Sequence, residues 1–110
     1  MKIYGIDVDL KGGKVFSPTI LVTDIENPDE DIDEDLLQIA YNNGYIVDVG
    51  YYGSFGNGKI KKPRVYVIKD ADWENPVYTR ETELNKQQLI EAIIQAIEIA
   101  ITAAWLRVIF

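Results

Sequence analysis

The chain has 110 residues, of which 47% are hydrophobic and 26% charged, and its formal net charge at pH 7 is −7. This length predicts a single domain over residues 1–110, and this composition excludes an intrinsically disordered chain. The chain contains neither cysteine nor histidine, which excludes disulfides, thiolate metal sites and the Ser-His and Cys-His pairs of nucleophilic catalysis. We therefore expect a non-enzymatic protein without a cofactor.

The same composition bears on location and on the kind of partner. Residues 1–7 alternate in polarity and lack the apolar core of a signal peptide, and the apolar stretch 92–106 is interrupted by Gln95, Glu98 and Thr102. We expect a cytoplasmic protein, in the host cytoplasm if the chain is virus-encoded, with no membrane association. The negative charge disfavours broad affinity for nucleic acid and favours a basic partner.

The N-terminal residues predict a β-hairpin. Apolar and polar side chains alternate from Lys2 to Leu10, which is the pattern of a half-buried strand. Residues 11–14, Lys-Gly-Gly-Lys, predict a tight turn, and Val15 to Thr23 predict the returning strand. Pro18 lacks the N–H that a strand ladder needs, so this second strand should lie at an edge or carry a bulge.

Eight carboxylates follow between Asp24 and Asp35, and we name this stretch the acidic segment 24–35. Asp31 and Glu34 have the spacing of a capping box, which predicts a helix starting inside the segment. Residues 42–44, Asn-Asn-Gly, predict the end of that helix. Its apolar face would be formed by Ile32, Leu36, Ile39 and Ala40.

The remaining residues predict a second hairpin and a final helix. Strands are predicted at 45–52 and 64–69, joined by the glycine-rich, basic residues 53–63, and 77–80 are compatible with a further short strand. Asn85 and Gln88 form another capping-box pattern, so the last helix should begin at Asn85. The predicted fold is α+β of order ββαββα, a mainly antiparallel four-stranded sheet with two helices packed on one face.

The last helix is apolar around roughly 260° of its circumference, more than one sheet and one neighbouring helix can cover. An uncovered apolar surface of this kind is typical of self-association, and a two-fold arrangement is the simplest one. We therefore predict a homodimer that forms through the C-terminal helix. The predicted self-association residues are Ile90, Ile94, Ile97, Ile101, Trp105 and Val108.

Two motif-based alternatives remain. Aromatic side chains beside lysines in the hairpin 51–64 have the composition of a nucleic-acid-binding surface. The segment Tyr4-Gly5-Ile6-Asp7 resembles the first strand of ribonuclease-H-like nucleases, where an aspartate holds a divalent metal ion. That resemblance implies a metal-dependent nuclease using Asp7, and further carboxylates would have to come from Asp70, Asp72 or Glu91.

Two other motifs have part of the required spacing but lack residues that their function needs. Residues 53–59 match the G-x-x-x-x-G-K pattern of a phosphate-binding loop, but Ile60 stands where Ser or Thr would hold magnesium, and a strand follows where a helix is needed. Asp29, Asp31 and Asp33 have the first spacings of a calcium loop, but Ala40 stands where its bidentate glutamate belongs. We predict no metal site.

The functional prediction is therefore based on the number of carboxylates in the acidic segment 24–35. A helix N-terminus uses only a few of them, and the rest either keep the protein in solution or await a cationic surface. We predict a small acidic protein that docks on a basic surface, such as that of a nucleic-acid-handling enzyme, as inhibitors, immunity proteins or virus-encoded antagonists do. The predicted phosphate mimics are Glu26, Asp29, Glu30, Asp33 and Asp35, and the predicted apolar anchors are Tyr51, Tyr52 and Phe55.

Overall fold

The computed structural model describes residues 1–27, 35–52 and 62–109, and for Tyr52 and residues 103–109 it describes the backbone alone. These residues form seven strands, one 3-10 turn and one long helix. The strands are β1 Lys2–Ile3, β2 Ile6–Asp7, β3 Lys14–Phe16, β4 Asp35–Ala40, β5 Tyr45–Tyr52, β6 Lys62–Lys69 and β7 Tyr78–Glu81; the 3-10 turn is Thr19–Val22 and the helix α1 is Lys86–Ile109.

Strands β3 to β7 form one five-stranded antiparallel sheet in which every strand lies beside its neighbour in the chain. The turn between β4 and β5 depends on Gly44, whose φ of +89° is one that glycine adopts without strain. Asn43 supports this turn, because its side-chain oxygen accepts a hydrogen bond of 3.0 Å from the backbone N–H of Tyr45. A connection this short fixes the register of β4 against β5.

Helix α1 packs across β5 and β6 on one face of the sheet, which we call the core face. The alternating valines of β5 and β6 point to this face and are fully buried, because an apolar residue at every second position of a strand lies on one side. The helix covers them with a stripe at helical spacing, and sheet and helix belong to one apolar cluster. The helix stripe comprises Leu89, Ile93, Ala96 and Ala100.

The N-terminal residues close one side of this core. Strands β1 and β2 form a separate two-stranded hairpin, and Ile3, Ile20 and Ile25 are fully buried. The backbone N–H of Lys86, at the start of α1, donates a 3.3 Å hydrogen bond to the Glu26 carboxylate. The N-terminal residues are thus attached to the first turn of the helix.

The predicted fold of four strands and two helices is wrong. Residues 35–40 form a strand, β4, hydrogen-bonded to β3 on one side and β5 on the other. Leu36 and Ile39 fit a helical face, but Leu37 and Ile39 also fit a strand, and pairing with both neighbours decides in favour of the strand. The predicted helix start at Asp31 and Glu34 lies outside the described residues.

The predicted N-terminal strands are also shorter than expected. Tyr4 and Gly5 have φ values of 52° and 79°, the geometry of a two-residue hairpin turn, and this turn splits the predicted first strand into β1 and β2. The turn at 11–14 forms, with the Gly13 N–H bonded to the Leu10 carbonyl at 3.0 Å, but β2 and β3 lie in different sheets. The predicted second strand ends at Phe16, before Pro18.

Other predicted elements are confirmed. Strands β5 and β6 pair in antiparallel fashion, and β7 occupies the region of the predicted short strand. Strand β3 lies at an edge of the sheet, but it ends before Pro18. The Asn85 side chain caps α1 by accepting a 2.9 Å hydrogen bond from the Gln88 N–H. Over the residues described here, no helix combines the length and apolar character needed to cross a membrane.

Candidate functional site

The face of the sheet opposite α1, which we call the outer face, carries a polar and aromatic row across all five strands. The backbone register aligns these residues from one edge to the other, and in β5 and β6 they alternate with the buried valines of the core face. The outer face is therefore open to a partner in a way that the core face is not. Its central row is Phe16, Gln38, Asp48, Tyr66 and Thr79.

The loop between β6 and β7, residues 70–77, brings further side chains to this face. Hydrogen bonds at both ends of the loop fix its path: the Asp72 N–H donates to the Lys69 carbonyl at 3.0 Å, and the Val77 N–H donates to the Val67 carbonyl at 2.9 Å. The Asn75 side chain also donates to the Asp72 carboxylate at 3.2 Å. The loop therefore holds Trp73 and Glu74 in place.

Loop and sheet together enclose an open concavity of about 380 Å³. Its chemistry is mixed, because carboxylates and aromatic rings share a small volume. Trp73 is 49% exposed, whereas Asp48 is only 1% exposed, so the pocket presents an aromatic ring to solvent and buries a carboxyl group in its wall. We name this concavity the Trp73 pocket, and it is lined by Asp48, Tyr66, Ile68, Trp73, Glu74 and Pro76.

Polar contacts order the pocket and its surroundings. Asp48 accepts a 3.1 Å hydrogen bond from the Gln38 side-chain amide. Beside the pocket, the Arg64 guanidinium donates to the Tyr66 hydroxyl at 3.0 Å and to the Glu81 carboxylate at 3.2 Å. These contacts raise the pKa of Arg64, the Tyr66 hydrogen bond contributing most. The pocket thus combines hydrogen-bond acceptors with aromatic surface, a combination suited to binding a cation.

The described parts of the acidic segment 24–35 lie in two different places. Glu26 lies at the helix N-terminus, with its carboxylate 3.8 Å from the Lys86 ammonium, and Asp24 is 3.6 Å from the same ammonium. Hydrogen bonding by the Asn27 side chain is the main cause that lowers the pKa of Asp24. Asp35 is exposed at the start of β4. The other predicted phosphate mimics, Asp29, Glu30 and Asp33, lie outside the described residues.

Among the described residues of the acidic segment, Asp35 reaches the outer face. It pairs with Gly50, two residues along β5 from Asp48 and therefore on the same side of that strand. A register shift between Asp35 and Leu37 marks a β-bulge at this point. The acidic segment thus enters the sheet on the side that carries the Trp73 pocket.

Of the three predicted apolar anchors, Tyr51 is the one whose side chain the structure describes. Tyr51 is 1% exposed and belongs to the core cluster, where burial raises its pKa to about 12. Its hydroxyl has no hydrogen-bond partner within the described part of the chain. Tyr52 is the last residue of β5, and Phe55 lies outside the described residues.

The predicted self-association residues are also divided by the structure. Ile90 and Ile97 are 3% and 2% exposed and pack in the core of the monomer, whereas Ile94 is 42% exposed and Ile101 is half-buried. The helix stripe that faces the sheet is therefore wider than one line of residues. Trp105 and Val108 lie in the last turns of α1, where only the backbone is described.

The residues of the two alternative functions lie as follows. Asp7 is exposed on β2, and in residues 1–27, 35–52 and 62–109 no three acidic side chains converge on a point that could hold a metal ion. In the basic hairpin, Lys62 is 3.0 Å from the Glu83 carboxylate and Arg64 is paired with Glu81. Nuclease activity and nucleic-acid binding both stay predictions.

Sequence reasoning missed the Trp73 pocket. One signal was present, since Asp48 interrupts the valines of β5 and faces the row of Tyr66 once the hairpin register is known. Nothing local indicated that the loop 70–77 would fold over that row. No family model, no curated protein and no solved structure matches this chain.

Proposed function

We propose that this protein is a non-enzymatic binding protein that docks on a basic surface of another macromolecule, in the manner of an inhibitor. The outer face of the sheet is the docking face in this proposal, and Asp35, the last residue of the acidic segment 24–35, adjoins it. The observation that carries the proposal is the Trp73 pocket, which is lined by a half-exposed tryptophan together with the carboxyl groups of Asp48 and Glu74.

Electrostatics and apolar contact have separate tasks in such docking. A net charge of −7 attracts a cationic partner over a distance and raises the association rate. Trp73 and Phe16, which are 49% and 52% exposed, supply apolar area on the outer face that a partner would remove from water. Tryptophan is among the residues that contribute most to binding energy at protein interfaces.

The proposal includes a homodimer formed through α1, with a changed set of contacts. Since Ile90 and Ile97 are already buried in the monomer, the dimer contact has to use Ile94 together with the last turns of the helix. A dimer of this kind leaves the outer face open, because α1 lies on the opposite side of the sheet. We place this function in the cytoplasm, of a host cell if the chain is viral.

Two variants with equal net charge test the docking face. The outer-face variant replaces Asp35 with Asn and Glu74 with Gln, and the helix-face variant replaces Glu91 and Glu98 with Gln. All four side chains are exposed. Binding of each variant to immobilised poly-L-lysine would be measured over a series of salt concentrations.

The outer-face variant should bind more weakly than the natural chain and lose part of the salt dependence, whereas the helix-face variant should bind nearly as the natural chain does. Because both variants change the total charge equally, a general attraction between opposite charges weakens both alike. An equal loss in the two variants would therefore overturn the assignment of the docking face.

A further inference from the structure

We infer that the Trp73 pocket receives an arginine side chain of the basic partner, an inference that rests on the proposed function. The pocket offers the two features that distinguish arginine recognition from general attraction to cations. A flat aromatic ring, that of Trp73, can stack on the planar guanidinium, and the Glu74 carboxylate can accept its paired hydrogen bonds.

The exposed aromatic ring of the pocket favours a guanidinium over an ammonium ion. A guanidinium is more weakly hydrated than an ammonium, so less solvation is lost when it stacks on an exposed ring. Cations bind over the faces of aromatic rings, and tryptophan is the strongest of these rings. The buried Asp48 carboxyl group also lines the pocket and adds a polar side chain to its wall.

The outer face already holds one guanidinium by the same chemistry. The Cζ atom of Arg64 lies 6.0 Å from the centre of the Tyr66 ring, and this guanidinium also contacts the Glu81 carboxylate. Aromatic ring and carboxylate recur together in the pocket, as Trp73 and Glu74. Because Tyr66 lines the pocket as well, the two arrangements are neighbours.

The loop that carries Trp73 is ordered before any partner arrives. Asp70 and Ala71 have φ values of 51° and 58°, an unfavourable conformation for residues other than glycine. The surrounding contacts maintain it: the Asp70 N–H donates to the Gly44 carbonyl at 2.9 Å, and the Trp73 N–H donates to the Ala71 carbonyl at 3.0 Å. A site held in this way loses little conformational entropy on binding.

The test uses Trp73 fluorescence in a Trp105→Phe background, where Trp73 is the only remaining tryptophan. Three capped tripeptides of sequence Gly-X-Gly are titrated, with X being arginine, lysine or citrulline. Citrulline keeps the shape of arginine and removes its charge. If Trp105→Phe disturbs the circular dichroism spectrum, the indole N–H resonance of Trp73 in the natural chain replaces the fluorescence signal, with Trp73→Phe identifying it.

The arginine peptide should bind most tightly, the lysine peptide less tightly, and the citrulline peptide about tenfold more weakly than arginine or worse, as expected for the loss of charge-assisted hydrogen bonds. Glu74→Gln should weaken arginine binding several-fold and leave citrulline binding unchanged. Glu98→Gln, which removes an exposed charge from the helix, should change neither.

The outcomes separate this inference from the proposed function. Equal affinity for arginine and citrulline, or an arginine affinity that Glu74→Gln does not change, overturns the arginine pocket. The proposed function survives that result if poly-L-lysine binding still depends on the outer face. If poly-L-lysine binding shows no such dependence, the proposed function fails whatever the peptides show.

Discussion

Truncating two neighbouring isoleucines of α1 should have very different effects on stability. Ile97 is 2% exposed in the core and Ile94 is 42% exposed, although both lie in the middle of the same helix. Replacing a buried isoleucine by alanine costs about 2–5 kcal/mol of unfolding free energy. At the exposed site the loss is limited to the covered part of the side chain, about 1 kcal/mol.

These free energies convert into a measurable difference in melting temperature. Unfolding entropy scales with chain length, and for 110 residues it is about 0.23 kcal/mol per kelvin, or about 4 °C for each kcal/mol. Ile97→Ala should therefore lower the melting temperature by about 8–20 °C and Ile94→Ala by about 4 °C. Thermal unfolding followed by circular dichroism at low protein concentration measures both.

Repeating the measurement at high protein concentration adds a test of the dimer. If α1 self-associates through its exposed side, the natural chain and Ile97→Ala should melt at higher temperature as concentration rises, because dimerisation stabilises the folded state. Ile94→Ala should lose most of this rise. If Ile94→Ala lowers the melting temperature more than Ile97→Ala does at low concentration, the helix is not oriented with Ile97 in the core and Ile94 toward solvent.

Three further predictions concern local structure. In a urea titration, Gly44→Ala should lower the free energy of unfolding by about 1–3 kcal/mol, since φ is +89° and a Cβ would collide with the Asp70 carboxylate. Gly5→Ala, at a position where space is open, should lower it less. Asn85→Ala should lower the free energy of unfolding by about 1 kcal/mol through loss of the helix cap, whereas Asn85→Asp, which keeps a capping oxygen, should lower it much less. Equal losses for the two variants in urea unfolding would contradict the role of Asn85 as a cap. The pKa of Tyr51 is about 12 in the folded protein against an ordinary 10.0, so its contribution to stability is complete below pH 10 and disappears as the pH rises through 12. Tyr51→Phe should reduce that alkaline decline in melting temperature without loss at pH 7, and Tyr41, whose pKa burial also raises to about 12, should maintain part of it. An unchanged decline would show that Tyr51 does not contribute to it.

Local pattern was sufficient where one physical effect dominated. The alternation of valines in β5 and β6 fits an amphipathic strand and does not fit an amphipathic helix. The capping pattern at Asn85 predicted the start of α1, and the structure contains the hydrogen bond from the Gln88 N–H to the Asn85 side chain. It failed at β4, where Leu36, Leu37 and Ile39 fit both a helix and a strand. Only pairing with distant strands separates these alternatives, and one chain segment does not reveal its partners.

The same limit applies to burial and to the candidate site. Ile90 and Ile97 appeared available for self-association because a four-stranded sheet and one helix cannot cover so wide an apolar arc. The actual sheet has five strands, and the N-terminal residues, with Ile3 and Ile25 buried, enlarge the core. The Trp73 pocket depends on how the loop 70–77 crosses the outer face, which is a tertiary contact without a sequence signal.

Backbone amide chemical shifts, recorded while the capped arginine tripeptide is added to the natural chain, test the central claim most directly. We predict that the perturbed resonances map to the outer face, with the largest changes at Asp48, Tyr66, Trp73 and Glu74. Perturbations concentrated on the exposed side of α1, or spread evenly over all acidic residues, would contradict the assignment of the outer face as the docking site.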